Sequence, residues 1–516
     1  MAYKPSPLVA RASLRSATGD GFYSPHSQYL GFEKEKIGPW VQHVKGGLKD
    51  QPPGVKEVES VIQHELAHWI QGHGTSIGAF LSTLRGRQLD LFKRFPRAAG
   101  AELIQRLFSR RFAPDAALPL IRTSKSVLAN EPEYERHEVF LGFRSQWWSL
   151  QLAQSVFEQP AEIVKKRLRV GEALRVAFAD SAVDEWGLSS LNSSDAEEAK
   201  LQGVLSQRIK TNDLLEGFAS ANQLLYYCLH QKIERGEWLK QRIKKTIQSI
   251  STTHYGTGIR HLASVSSSAK GDIISGMAVF CAIADLSLHP SFEEIHNAAA
   301  HGWPIADAFE RVYPPSRFVA LCEAAAGLPQ LSVRATHDEI ECFQSEVIRR
   351  AGMTIANEQP KDCNGLPSMH HLTYKGEVLA KYTLADVERA WQNNAMELRK
   401  TLPALFVLPS PQYLLDRDWL TEVRKDRDES SIVLPPLWSD KEKHIYFHLN
   451  QSSSHCLIFW SLVANITHSV LCGHEHVDLS GFPEDVQESG IMEDARSAIF
   501  RHCGFDTAPP CDINRI

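Results

Sequence analysis

Val58-Glu-Ser-Val-Ile-Gln-His64-Glu65-Leu66-Ala67-His68-Trp69-Ile70-Gln71-Gly72-His73-Gly74 is the stretch on which the reading of this chain turns. From Val55 to about Phe80 the apolar positions Val58, Val61, Ile62, Trp69 and Ile70 recur at helical spacing, and Gly72 with Gly74 supplies a stop. The spacing predicts one helix with His64 and His68 in its C-terminal half. Residues four apart share a helix face one turn from each other, so both imidazoles can reach one metal ion. With 22 His among 516 residues, chance alone supplies roughly 0.06 such His-Glu-x-x-His matches.

Glu65 sits beside the first of these histidines. A zinc ion lowers the pKa of an attacking water to about 7, and a carboxylate at this place can take the proton and pass it to a leaving amine. The expected reaction is hydrolysis of a peptide bond, with one catalytic Zn²⁺ and Glu65 as general base and acid. Catalytic zinc usually keeps three protein ligands. An extended His-Glu-x-x-His-x-x-Gly-x-x-His set is excluded, because Gln71 and Gly74 occupy the places of the added Gly and His.

The best remaining third ligand is Glu216, in Asn212-Asp-Leu-Leu-Glu216-Gly217-Phe-Ala219-Ser220. Gly217 and Ala219 are small enough for this predicted helix to approach the first one closely. Glu138 and His73 stay open as other ligands. A Glu-Gly-x-Ala segment downstream of a His-Glu-x-x-His helix resembles the gluzincin class of zinc metallopeptidases, over some thirty residues in all. The resemblance implies that His64, His68 and Glu216 bind the metal. Two departures accompany it. His68 and Glu216 lie 216 − 68 = 148 positions apart, so a helical insertion must loop out between them. Ser220 stands where some members of the class place an Asp that orients a zinc histidine.

Hydrolysis also needs a donor to the tetrahedral oxyanion, commonly Tyr or His. Tyr226, Tyr227, His254, Tyr255 and His289 are candidates, and His254 with Tyr255 is preferred because Gly256-Thr-Gly258 follows and marks a loop. Arg85 to Arg111 carries eight basic residues against Asp90 and Glu102 and reads as a solvated helix face. Cys363, His370, His371, Cys472, His474, His476, Cys503 and Cys511 lack the Cys-x-x-Cys spacing of a structural zinc site. No phosphate-binding Gly-rich loop, Gly-x-Ser-x-Gly elbow or dinucleotide fingerprint is present.

Hydrophobic residues make up 43% and charged residues 23%, the balance of a folded globular chain, and its length suits two or three domains. With 56 basic against 61 acidic residues the net charge of -5 argues against nucleic acid as a partner. The polar start, Met1-Ala-Tyr-Lys-Pro, has no apolar region of a secretory signal, and nine cysteines make an odd count. Reduced thiols and a cytoplasmic location are expected. The most apolar stretch, Cys456 to Cys472, is interrupted by Asn465, Thr467 and His468, so no membrane span is expected.

Loops and short strands are expected in the first fifty residues, and helices dominate from about Ile77 to Ala326. After Gly327-Leu-Pro329 turns and short strand candidates such as Ile445-Tyr-Phe-His448 appear. The expected class is α+β and predominantly helical. A zincin-like catalytic region with a large helical insertion would occupy 1–330, and a mixed α/β region for substrate or partner recognition 331–516. The expected function is a zinc-dependent peptidase acting on an intracellular protein or peptide, restrained by narrow substrate choice or by a regulatory protein partner. The alternative is a non-catalytic helical interaction protein with a structural or degenerate zinc site.

Overall fold

The structure, a computed structural model, describes residues 53–84, most of 149–179, 194–231, 237–265, 273–356 apart from 302–303, parts of 392–408, and seven short strands. The described part is predominantly helical. Its helices are α1 (Pro53–Gly74), α2 (76–84), α3 (Pro160–Lys166), α4 (Val170–Ala179), α5 (Asp195–Leu205), α6 (Thr211–Gln231) and α7 (Glu237–Thr252). They continue with α8 (Thr257–Val265), α9 (Ile273–Leu288), α10 (Glu293–Ala300), α11 (Ile305–Val312), α12 (Pro314–Ala324) and α13 (His337–Ala351).

The strands are β1 (Leu14–Arg15), β2 (Gly21–Ser24), β3 (Tyr29–Phe32), β4 (Thr373–Tyr374), β5 (Glu377–Val378), β6 (Leu437–Ser439) and β7 (Ile445–Tyr446). Five of them form one sheet in the order β1-β2-β3-β6-β7, and β4 pairs with β5 separately. β3 and β6 run parallel with Leu30 opposite Leu437, and the other pairings are antiparallel. β2 and β3 lie against α1.

α1 opens with Pro53, whose missing N–H is one that a first helical turn leaves unbonded anyway. The expected single helix to about Phe80 is instead two. α1 ends at Gly74, Thr75 interrupts, and α2 begins at residue 76. The Thr75 hydroxyl donates to the Gln71 carbonyl at 2.6 Å and accepts from the Gly78 N–H at 3.1 Å, so it ends one helix and caps the next. A Cβ on Gly78 would lie 2.2 Å from the Gly72 oxygen, so the reversal admits no side chain there.

The core is built from α6 and α9. α9 is internal, with every residue from Gly276 to Leu288 buried, as a helix apolar on nearly all sides must be. α6 packs on α9 by one face and on α1 by another. Leu214, Phe218, Leu225, Phe280, Ile283, Phe318 and Leu321 belong to the continuous apolar cluster, which extends through Leu331 and Val333 to Ile340 and Val347 of α13. A reciprocal pair of bonds between Thr336 and Glu339 starts α13, and Gly352, at φ +60°, ends it.

The α1–α2 junction is held from two directions. The Ser76 N–H donates to His289 Nδ1 at 3.0 Å, and the Ser76 hydroxyl to the Pro290 carbonyl at 2.6 Å. Arg399 grips Asp285 through both guanidinium nitrogens, at 2.6 and 2.9 Å, and donates to the Gly74 carbonyl at 2.6 and 3.0 Å. A cation at a helix C-terminus satisfies carbonyls that have no partner within the helix and complements its dipole. Among the described residues no helix is long and apolar enough to cross a membrane, and Cys281, Cys322 and Cys342 are free thiols.

Candidate metal centre

α1 is buried along most of its length even though it carries Glu59, Ser60, Gln63, His64, Glu65, His68, Gln71 and His73, all under 6% exposed. Burying so many polar groups costs free energy unless each finds a partner. α6 faces it with Glu216 and Gln223, also buried. The helices run antiparallel: Ser60 meets Tyr227, and Gln71 meets Leu215.

His64, His68 and Glu216 converge between these two helices, and their ligand atoms all lie within 4.8 Å of one another. Glu216 Oε2 stands 3.6 Å from His64 Nε2 and 3.8 Å from His68 Nε2. None of these three atoms has a hydrogen-bond partner among the described residues. Two ligand atoms about 2.0–2.1 Å from a tetrahedral zinc ion would be roughly 3.3–3.4 Å apart, close to these separations. The buried group could hold a metal ion, and the orphaned atoms are those that an ion would join.

The electrostatics agree with deprotonated ligands. Burial, helped by the neighbouring His64, pushes the His68 pKa down to about 4, against the opposing pull of Glu216 and Gln71. For Glu216, burial acts to raise the pKa, and His68, His64 and His254 together more than offset it, so the carboxyl stays below its ordinary range. Both states are the ones that bind a metal.

His68 Nδ1 meets Gln71 Oε1 at 3.1 Å, and Gln71 Nε2 donates to the Leu215 carbonyl at 3.3 Å. Sequence reasoning did not assign Gln71 a role; the signal for it was its place one turn after His68. His64 Nδ1 and Ser220 Oγ have no hydrogen-bond partner among the described residues, so no bond from Ser220 to a ligand histidine is seen.

Glu65 is fully buried next to the ligands. His254 and Tyr255 occupy a 3-10 turn, His254–Gly256, that packs on α6. A Cβ on Gly217 would lie 2.6 Å from the Tyr255 carbonyl oxygen, so this glycine lets the turn approach the helix of Glu216. Burial raises the Tyr255 pKa, and the charges of Glu216 and Glu65 raise it further. The His254 ring lies 4.3 Å from that of Tyr255, and its charge acts on Glu216.

The other oxyanion candidates lie elsewhere. Tyr226 hydrogen-bonds Glu59, and Tyr227 meets Ser60 at 2.5 Å, toward the N-terminal end of α1. His289 is held between Ser76 N–H and the Ala356 carbonyl. His73 Nδ1 meets the Trp69 carbonyl at 3.0 Å and is not part of the converging group. Glu138, the basic stretch apart from Arg87, and the cysteines and histidines from Cys363 onward lie outside the described residues. No protein family, no curated protein and no solved structure matches this chain.

Proposed function

We propose that the protein is a zinc-dependent peptidase of gluzincin type, in which His64, His68 and Glu216 hold one zinc ion and Glu65 is the general base and acid. The single observation that carries this reading is the convergence of three buried ligand atoms, unpartnered among the described residues, beside a fourth buried carboxylate. Two imidazoles and one carboxylate are a set that zinc favours, and three protein ligands leave a coordination position open. Bound zinc would supply Lewis acidity, polarising the scissile carbonyl and lowering the pKa of the attacking water.

The chain's own residues do the rest. Glu65 takes the proton from the attacking water and delivers it to the leaving amine. Tyr255, on the turn that Gly217 lets approach the helix of Glu216, would donate to the developing oxyanion, with His254 beside it. The substrate is a protein or peptide. The surrounding region is read as zincin-like, with the segment between α1 and α6 as the helical insertion and the C-terminal α/β part serving recognition.

The near-complete burial of the four side chains favours a second reading, a non-catalytic helical protein with a closed or relic site. In its closed form that reading needs a fourth protein ligand. Elemental analysis separates the two when run on wild type, Glu65→Gln and His64→Ala, with new peptide ends followed in a cell lysate. The peptidase reading expects about one zinc in wild type and Glu65→Gln, none in His64→Ala, and new ends from wild type alone. Metal-free wild type, or cleavage by Glu65→Gln equal to wild type, would sink it.

A further inference from the structure

We infer that Gln71 is a positioning residue that fixes the tautomer of His68 and links that ligand to the backbone of the helix carrying Glu216. The inference rests on the metal-site reading above and goes beyond it by giving a role to a residue that ligates nothing.

The argument starts from a group with no freedom. The Leu215 carbonyl can only accept a hydrogen bond, so the Gln71 side chain must turn its nitrogen toward it, as observed at 3.3 Å. The amide oxygen then faces the other way, where it meets His68 Nδ1 at 3.1 Å. An amide oxygen only accepts, so His68 Nδ1 must carry the hydrogen. A neutral imidazole has one hydrogen, so His68 Nε2 is left with its lone pair. That atom is the one 3.8 Å from Glu216 Oε2, unpartnered among the described residues.

One backbone carbonyl thus dictates, through one amide, which nitrogen of His68 is free to bind a metal. Leu215 is also the residue before Glu216, so the same bridge holds the two ligand-bearing helices in register. His64 is different, because its Nδ1 has no such partner among the described residues. Partners that hold a ligand histidine typically contribute 10–100-fold in metal affinity.

Zinc affinity of the full chain, measured by competition with a chromophoric chelator, tests this in wild type, Gln71→Met and Gln71→Glu. Chemical unfolding of the metal-free proteins and ¹⁵N NMR of the His68 ring are recorded beside it. Gln71→Met keeps the volume and removes both bonds; its zinc Kd should rise about 10–100-fold, with loss of the Nδ1–H tautomer in the metal-free protein. Gln71→Glu keeps an acceptor for His68 and loses the donor to Leu215. It should restore zinc affinity to within several-fold of wild type although its metal-free form is less stable. The inference is overturned if Gln71→Met binds zinc as wild type does or keeps the Nδ1–H tautomer. It is also overturned if both variants lose affinity in proportion to lost stability, the mark of a helix tie alone. If wild type itself binds no zinc, the metal-site reading has failed, which the wild-type titration reports separately.

Discussion

The same two helices treat their buried polar groups in opposite ways at their two ends. Toward the start of α1, Tyr226 hydrogen-bonds Glu59, Tyr227 meets Ser60, Gln223 donates to Ser60 at 3.3 Å, and Arg242 pairs with Glu57. Two turns further on, the facing atoms of His64, His68 and Glu216 have no such partners among the described residues. Both ends are buried and both are polar, so burial alone does not separate them. An orphaned buried polar atom costs about 1–3 kcal/mol, and a chain that keeps three in one place gives up stability there. The difference marks one end as a fastening and, on the proposed reading, the other as a receptor.

The largest test of that contrast is the response to metal. Zinc at a free concentration about 1,000 times Kd should stabilise wild type by about 4 kcal/mol in chemical unfolding. Glu216→Gln should show no such response. In the metal-free state the same variant should lose little stability, since Glu216 Oε2 gives up no hydrogen bond among the described residues. A strong loss of metal-free stability in Glu216→Gln would make the receptor end a second fastening.

At the other end Tyr226→Phe should cost about 2 kcal/mol, the size of a hydrogen bond to a charged group, and leave the zinc content unchanged. Loss of zinc in this variant would erase the distinction between the ends. Gly217→Ala should be milder. Its Cβ would come 2.6 Å from the Tyr255 oxygen and 3.1 Å from Phe280 Cζ. Overpacking costs about 1–3 kcal/mol and the helix gains up to about 1 kcal/mol from alanine, for a net loss near 1 kcal/mol in thermal melts. Peptide cleavage should fall more than zinc affinity, because the turn bearing Tyr255 is displaced and the ligands are not.

A further test of the comparison is pH dependence. Burial, and then the charge of Arg399, holds the His289 pKa well below 6.5, and His68 is lowered to about 4. For both, the unfolded chain binds more protons than the folded one between the folded and unfolded pKa values. Their contribution is therefore complete above about pH 6.5 and declines as the pH falls toward the folded values. The metal-free protein should lose several degrees in its unfolding midpoint between about pH 7 and pH 5, and His289→Gln should flatten that slope. An unchanged slope would remove His289 from this account.

Much of the centre was legible in local sequence. His64, Glu65 and His68 announce themselves through one helical turn, and Glu216 through the small residues around it. What was not legible depended on which helix faces which. Tyr226 and Tyr227 stayed candidates beside the preferred His254 and Tyr255 until the antiparallel register of α1 and α6 set them beside Glu59 and Ser60. Thr75 ended α1 through a side-chain bond that hydrophobic spacing does not register. Gln71 was visible only as the residue that excluded a different ligand pattern, because its role needs Leu215, 144 positions away.

Arg399 gives the helix of His64 and His68 an unusual history. The Gly74 carbonyl it caps is 325 positions earlier, and Asp285, whose charge it balances, is 114 positions earlier. During synthesis α1, α6 and α9 therefore leave the ribosome while the end of α1 still awaits this arginine. Until it arrives, Asp285 keeps only Gln344 among the hydrogen-bond donors described here. A chain cut short of residue 399 would carry His64, His68 and Glu216 and lack the tie that finishes the helix of the two histidines.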